Sequence, residues 1–174
     1  MRQILFIFAT VMGFSALAQN NVELEWTFFH PKKSVWMELG KKGSVQEALI
    51  ATGEMPDPFF GTNENKFGWF EEHIWGFKSI LLVEQLDLDH QYNELCFGSI
   101  DTYGKVYVND SIVMESANAF IPHSVQIKDY LKVGVNEITV VITPPVMYHA
   151  DMWKNADYKL PAPNDLHDIA IAPY

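Results

Sequence analysis

Apolar and polar positions alternate in short runs through the middle of this chain, a period that places successive side chains on opposite faces of a strand. The first run, Leu24-Glu25-Trp26-Thr27-Phe28-Phe29, is aromatic and nearly alternating, and it predicts a strand. Similar runs recur at Ile74 to Glu84, Glu94 to Ile100, Tyr103 to Asn109, Ser111 to Glu115, Ser124 to Ile127 and Glu137 to Thr143. Asn109-Asp110 separates two of them, the composition of a tight hairpin turn, and Val133-Gly134-Val135-Asn136 reads as a second tight connection. One segment keeps a different period. Ser44 and Glu47 have the spacing of a capping box, Val45, Ala48 and Leu49 recur at helical spacing, and Gly53 stops the pattern, so a single short helix is expected over 45–52. Many short strands with one short helix predict an all-β fold, an antiparallel β-sandwich of jelly-roll type.

Two stretches break the pattern. In Gly53-Glu54-Met55-Pro56-Asp57-Pro58-Phe59-Phe60-Gly61-Thr62-Asn63-Glu64 the prolines and glycines exclude a regular helix or central strand. Two adjacent phenylalanines in such a loop imply that it packs against something. The loop ends in an amide and a carboxylate, with Trp69 and Trp75 close behind, a combination that suits carbohydrate: hydroxyls take polar partners and C–H faces take rings. From Pro144 onward, Pro144, Pro145, Pro161 and Pro163 punctuate a segment in which Tyr148, Trp153 and Tyr158 follow no period. That tail is expected to lack regular structure, with its partner surface or the last strands of the sandwich lying outside the chain.

Composition narrows the setting. Arg2, an apolar run from Ile4 to Leu17 and Ala16-Leu17-Ala18 before Gln19 make residues 1–18 read as a signal peptide, so the chain is expected to be exported to a periplasmic or extracellular space. The run is too short to span a bilayer, and no second one approaches that length. With 22 acidic against 12 basic residues and a formal charge of −10, nucleic acid and membrane surfaces are not expected partners. Cys96, the one cysteine, lies in Leu95-Cys96-Phe97 and is expected to be buried as a small hydrophobe. His30, His73, His90, His123, His149 and His167 show no metal-ligand spacing, and nucleotide or serine-hydrolase motifs are absent, so neither metal nor cofactor is expected. Acidic pairs such as Glu71-Glu72 arise readily by chance in so acidic a chain, and neighbours on a strand point to opposite faces. No catalytic residue is assigned.

The ordered series Gly53-x-Met55-Pro56-Asp57-Pro58-Phe59-Phe60-Gly61-x-Asn63-Glu64, Trp69, Trp75-x-Phe77, Gly98-x-x-Asp101-Thr102-Tyr103, Val106-Tyr107-Val108-Asn109, Asn118-x-Phe120 and Leu131-x-x-Gly134-x-Asn136 resembles the N-terminal sugar-binding domain of β-mannosidases of glycoside hydrolase family 2. It covers about residues 24–174. Where that family carries Pro-Gly-Thr-Val-His, this chain reads Lys42-Gly43-Ser44-Val45-Gln46. The resemblance implies a galactose-binding-like jelly roll over 19–143, with 144–174 as the incomplete end of the same domain. It also implies a parent enzyme that removes terminal β-linked mannose by a retaining mechanism. The two catalytic glutamates would belong to a barrel domain outside this chain, which alone should be inactive.

Within that resemblance, Asn63, Glu64 and Trp69 are the substrate-binding candidates, on a loop that would contact the barrel rim and shape the innermost sugar pocket. The same residues fit a plainer role, Asn63 and Glu64 satisfying backbone groups in a turn while Trp69 fills the core. Asp101, just before Tyr103, is expected to cap its own turn. A stand-alone, non-catalytic carbohydrate-binding module is the alternative reading of the whole chain.

Overall fold

The computed structural model describes residues 21–40 and 44–158. The proposed signal peptide lies outside the described residues. Eight strands and three helices follow in the order β1 (Thr27–His30), β2 (Val35–Glu38), α1 (Val45–Ala51), β3 (Trp75–Val83), α2 (Gln85–Asp89), β4 (Glu94–Phe97), β5 (Tyr103–Val108), β6 (Ser111–Ala117), β7 (His123–Gln126), β8 (Gly134–Thr143) and α3 (Pro145–Asn155). All strand pairs are antiparallel. Six strands form one sheet in the order β2-β1-β3-β8-β5-β6, and β4 pairs with β7 in a smaller second sheet, giving the expected sandwich.

Alternation decides which side chains meet between the sheets. Along β8, Asn136, Ile138 and Val140 are buried while Val135 is exposed; on β5, Val106 and Val108 are fully buried. These residues pack with Leu95 of β4 and with Ile100 and Ile127 to form the main core. A second cluster, Phe28, Val45, Leu49 and Trp75, lies under α1, and Phe77 packs against both. Each fully buried side chain of this size contributes roughly 1.5–3 kcal/mol relative to exposure. Gly104 permits one close approach in the main core, since a Cβ there would meet Ile100 Cγ2 at 2.5 Å.

The predicted helix forms as expected: Ser44 Oγ accepts from Glu47 N (3.2 Å) and Glu47 Oε2 accepts from Ser44 N (2.8 Å), closing the capping box. The Asn109-Asp110 turn also forms, with both residues at positive φ (48° and 67°) between Val108 and Ser111. Behind it, Asn136 is fully buried and fully satisfied. Its Nδ2 donates to Lys132 O (2.7 Å) and Gly134 O (3.1 Å), and its Oδ1 accepts from Lys132 N (2.9 Å) and Asn109 Nδ2 (2.7 Å). Gly134, at φ 97°, makes the turn that brings this side chain round.

Several expectations change. Val35–Glu38 is a strand and Gln85–Asp89 a short helix, neither of them predicted. Over its described part, 144–158, the tail is not structureless: Pro145 opens the helix α3, at a position where a missing N–H costs nothing, and 159–174 lie outside the described residues. Cys96 is exposed, because Leu95 and Phe97 on either side of it on β4 face the core and it therefore points out. Phe59 and Phe60, expected to pack, are 96% and 77% exposed. Among the described residues no helix is long and apolar enough to cross a bilayer.

Candidate functional site

The loop between α1 and β3 is held by its own backbone. At the end of α1, Gly53 takes φ 76°, and Gly53 N, Glu54 N and Met55 N donate to Ile50 O and Leu49 O, capping the last turn. Asp57 then organises the tip: its Oδ1 accepts from Phe59 N (2.9 Å) and its carbonyl accepts from Phe60 N (3.3 Å) and Asn63 Nδ2 (2.9 Å). The two phenylalanines are therefore displayed on a tied turn, not on slack chain.

Two 3₁₀ turns follow, Asn63–Lys66 and Gly68–Glu72. Asn63 is half-buried and occupied with Asp57; Glu64 is exposed, and its carbonyl accepts from Phe67 N (3.0 Å). Trp69 lies deeper, in an aromatic cluster. Its ring centroid is 4.4 Å from Phe70, 5.6 Å from Trp75 and 5.5 Å from His30, which stacks at 22°. Lys32 Nζ stands 4.2 Å from the Trp69 ring centroid, a cation–π contact. Trp75 Nε1 donates to Phe70 O (2.9 Å), and Glu54 pairs with Lys33 (2.6 Å) and with buried His30 (3.5 Å).

The three sequence candidates thus sit on consecutive turns, but no hydrogen bond or ring contact among the described residues joins Asn63 or Glu64 to Trp69. What the loop does present outward is Phe59 and Phe60. Asp101 accepts from the neighbouring Thr102 hydroxyl, as a local turn group. No group of three or more His, Cys, Asp or Glu among the described residues is arranged to hold a metal ion.

A second cluster was not legible beforehand. Tyr103, the first residue of β5, stacks on Tyr148 of α3 with ring centroids 3.8 Å apart and an interplanar angle of 4°, and its hydroxyl is 2.5 Å from His149 Nε2. The signal available was the Pro144-Pro145 start followed by fifteen residues free of Gly and Pro.

Comparison with known proteins places this architecture. Residues 26–172, most of the chain, match the family described as glycosyl hydrolase 2 galactose-binding domain-like. The chain belongs to that family. A protein described as a probable β-mannosidase from Caenorhabditis elegans is 30% identical over 155 residues, 87% of this chain and 17% of that protein. A β-mannosidase B from Thermothelomyces thermophilus is 31% identical over 51% of the chain and 10% of its own length. The crystal structure of a β-D-mannosidase from Dictyoglomus thermophilum superposes with a TM-score of 0.73 at 32% identity, covering 81% of this chain and 17% of that one. An exo-chitosanase from Amycolatopsis orientalis shares the fold alone, with a TM-score of 0.59 at 21% identity, over 71% of this chain and 16% of that one. The chain therefore spans less than a fifth of the length of these relatives. It corresponds to the galactose-binding-like N-terminal domain of a β-mannosidase-like glycoside hydrolase of family 2.

Proposed function

We propose that this domain serves an exported β-mannosidase as a non-catalytic brace, its Phe59–Phe60 tip docking against the catalytic domain beside the sugar pocket. The observation that carries the reading is the exposure of those two rings on a loop whose backbone is already tied down, a cost in solvated apolar surface that a partner surface would relieve. Similarity to β-mannosidases over most of the chain supports the identity of that partner. Asn63 and Glu64 stand just behind the tip and would face the pocket rim, restricting it to chain ends. Trp69 would act through the loop's rigidity, since its ring is enclosed by His30, Phe70 and Trp75. Hydrolysis itself would proceed with retention, using two carboxyl groups about 5–5.5 Å apart on the catalytic domain.

Mixing this chain with the Dictyoglomus thermophilum enzyme deleted of its matching domain tests the reading. Restored hydrolysis of an aryl β-mannoside is expected with the wild-type chain, with most of that activity lost for Phe59→Ser/Phe60→Ser. Full rescue by the double variant would sink the docking role. Hydrolysis by the chain alone would sink its non-catalytic assignment. Export is tested separately, by sequencing the N-terminus of the secreted protein, which should begin at Gln19.

A further inference from the structure

The outer face of the six-stranded sheet, turned away from the core, carries chemistry of its own. Alternation places Lys78 and Ile80 of β3, Glu137 and Thr139 of β8, and Tyr107 of β5 on this face. Trp36 of β2 joins them by reaching sideways. Its Cη2 would stand 3.8 Å from a Cβ on Gly76, so the indole lies over a position of β3 that has no side chain. Phe29 holds it edge-on (5.5 Å, 64°), and 45% of Trp36 remains exposed.

Polar groups lie between the two rings and hold one another. Lys78 Nζ is 2.9 Å from Glu137 Oε2 and 4.8 Å from the Trp36 ring centroid, while Thr139 Oγ1 donates to Glu137 Oε1 at 3.2 Å. Tyr107 is the register partner of Thr139. Together with Asp110 and Val141 they line an open depression of about 320 Å³. Asp110 and Glu137 are shared with a second depression of about 360 Å³ that continues to Ile80, Lys132 and Val135.

We propose that this sheet face binds an uncharged, extended oligosaccharide. Trp36 and Tyr107 offer flat surfaces to the C–H faces of pyranose rings, and Lys78, Glu137, Thr139 and Asp110 offer donors and acceptors to hydroxyls at the spacing of one strand pair. Because Lys78, Glu137 and Thr139 already restrain each other, little side-chain entropy is lost on binding. Charge selects the ligand class: Lys78 and Lys132 balance Glu137 and Asp110, so the site has no net attraction for an anionic sugar, and the net charge of −10 repels one. It also disfavours a protein occupant, since a protein interface keeps its centre free of charge and the centre here is the Lys78–Glu137 pair. An open trough along a sheet suits an extended chain. The inference does not rest on the docking role of the Phe59–Phe60 tip.

Calorimetry and tryptophan fluorescence on the full chain, titrated with mannotetraose, cellotetraose and chitotetraose, test it. Saturable binding of at least one at millimolar or lower concentration is expected. Trp36→Ala and Tyr107→Ala should each weaken it by about tenfold or more, while Phe59→Ser/Phe60→Ser leaves it unchanged. Should Trp36→Ala melt early, Tyr107→Ala and Thr139→Val carry the test. No saturation with any of the three sugars, or unaltered affinity in the Tyr107→Ala protein, overturns the proposal.

Discussion

The two ends of the β3–β8 ribbon solve opposite problems. At one end Val83 pairs with Gly134, and the buried Asn136 spends every hydrogen bond on its own chain, tying Lys132, Gly134 and Asn109 into one knot. At the other end, about 27 Å away along the strand, Trp75 pairs with Ile142 and the preceding loop turns Phe59 and Phe60 to solvent. One end is closed on itself. The other is equally tied in its backbone but leaves its apolar side chains unspent. The difference separates residues that a domain needs in order to fold from residues it carries for a neighbour, although both kinds stand out equally in the sequence.

Substitutions that probe stability should divide along the same line. Asn136→Ala removes four hydrogen bonds at once, two to Lys132 and one each to Gly134 and Asn109, and should lower the unfolding free energy of the isolated domain by about 3 kcal/mol in urea titration. A loss below about 1 kcal/mol would mean the closed end is not the anchor its geometry implies. Trp69→Ala, at the base of the loop, removes contacts with His30, Phe70 and Trp75 and should cost about 2 kcal/mol by the same measurement. Between the two ends, Ser79 is 2% exposed and its hydroxyl has no hydrogen-bond partner among the described residues. Ser79→Ala should therefore stabilise the fold by about 1 kcal/mol, seen as a higher Tm. Phe59→Ser/Phe60→Ser should change stability by less than about 0.5 kcal/mol. A large loss in that double variant would break the comparison, because it would make the tip part of the domain's own core.

Much of this was legible where one face of an element is buried and the other is not. β3, β5 and β8 follow their alternation, and α1 follows Ser44, Glu47 and Gly53, because local chemistry and tertiary burial agree there. β2 was hidden because three of its four residues are exposed and pairing alone defines it. α2 was hidden because Glu84 and Asp87 cap it reciprocally where a hydroxyl residue is the usual sign. Cys96 was misjudged by reading an apolar run as a buried run, when a two-stranded sheet buries only alternate positions. The candidate loop was conspicuous, but whether Phe59 and Phe60 turn inward depends on Asp57 and Gly61, whose turn geometry no hydrophobic pattern encodes. Trp36 was invisible as a surface feature because its position depends on a glycine in another strand.

The clasp between Tyr103 and α3 has a mechanical consequence. The chain leaves β8 at Thr143 and enters α3 within two residues, and α3 is pinned back on the first residue of β5 by Tyr148 and His149. A pull applied beyond α3 therefore reaches the sandwich through its central strand, which is held on both sides along Trp75–Val83 and Tyr103–Val108. Such a load must shear two ladders together instead of unzipping one, and the ring stack bears it first. Whatever is attached there is mounted on the stiffest line of the molecule, as a tool is fixed to its tang.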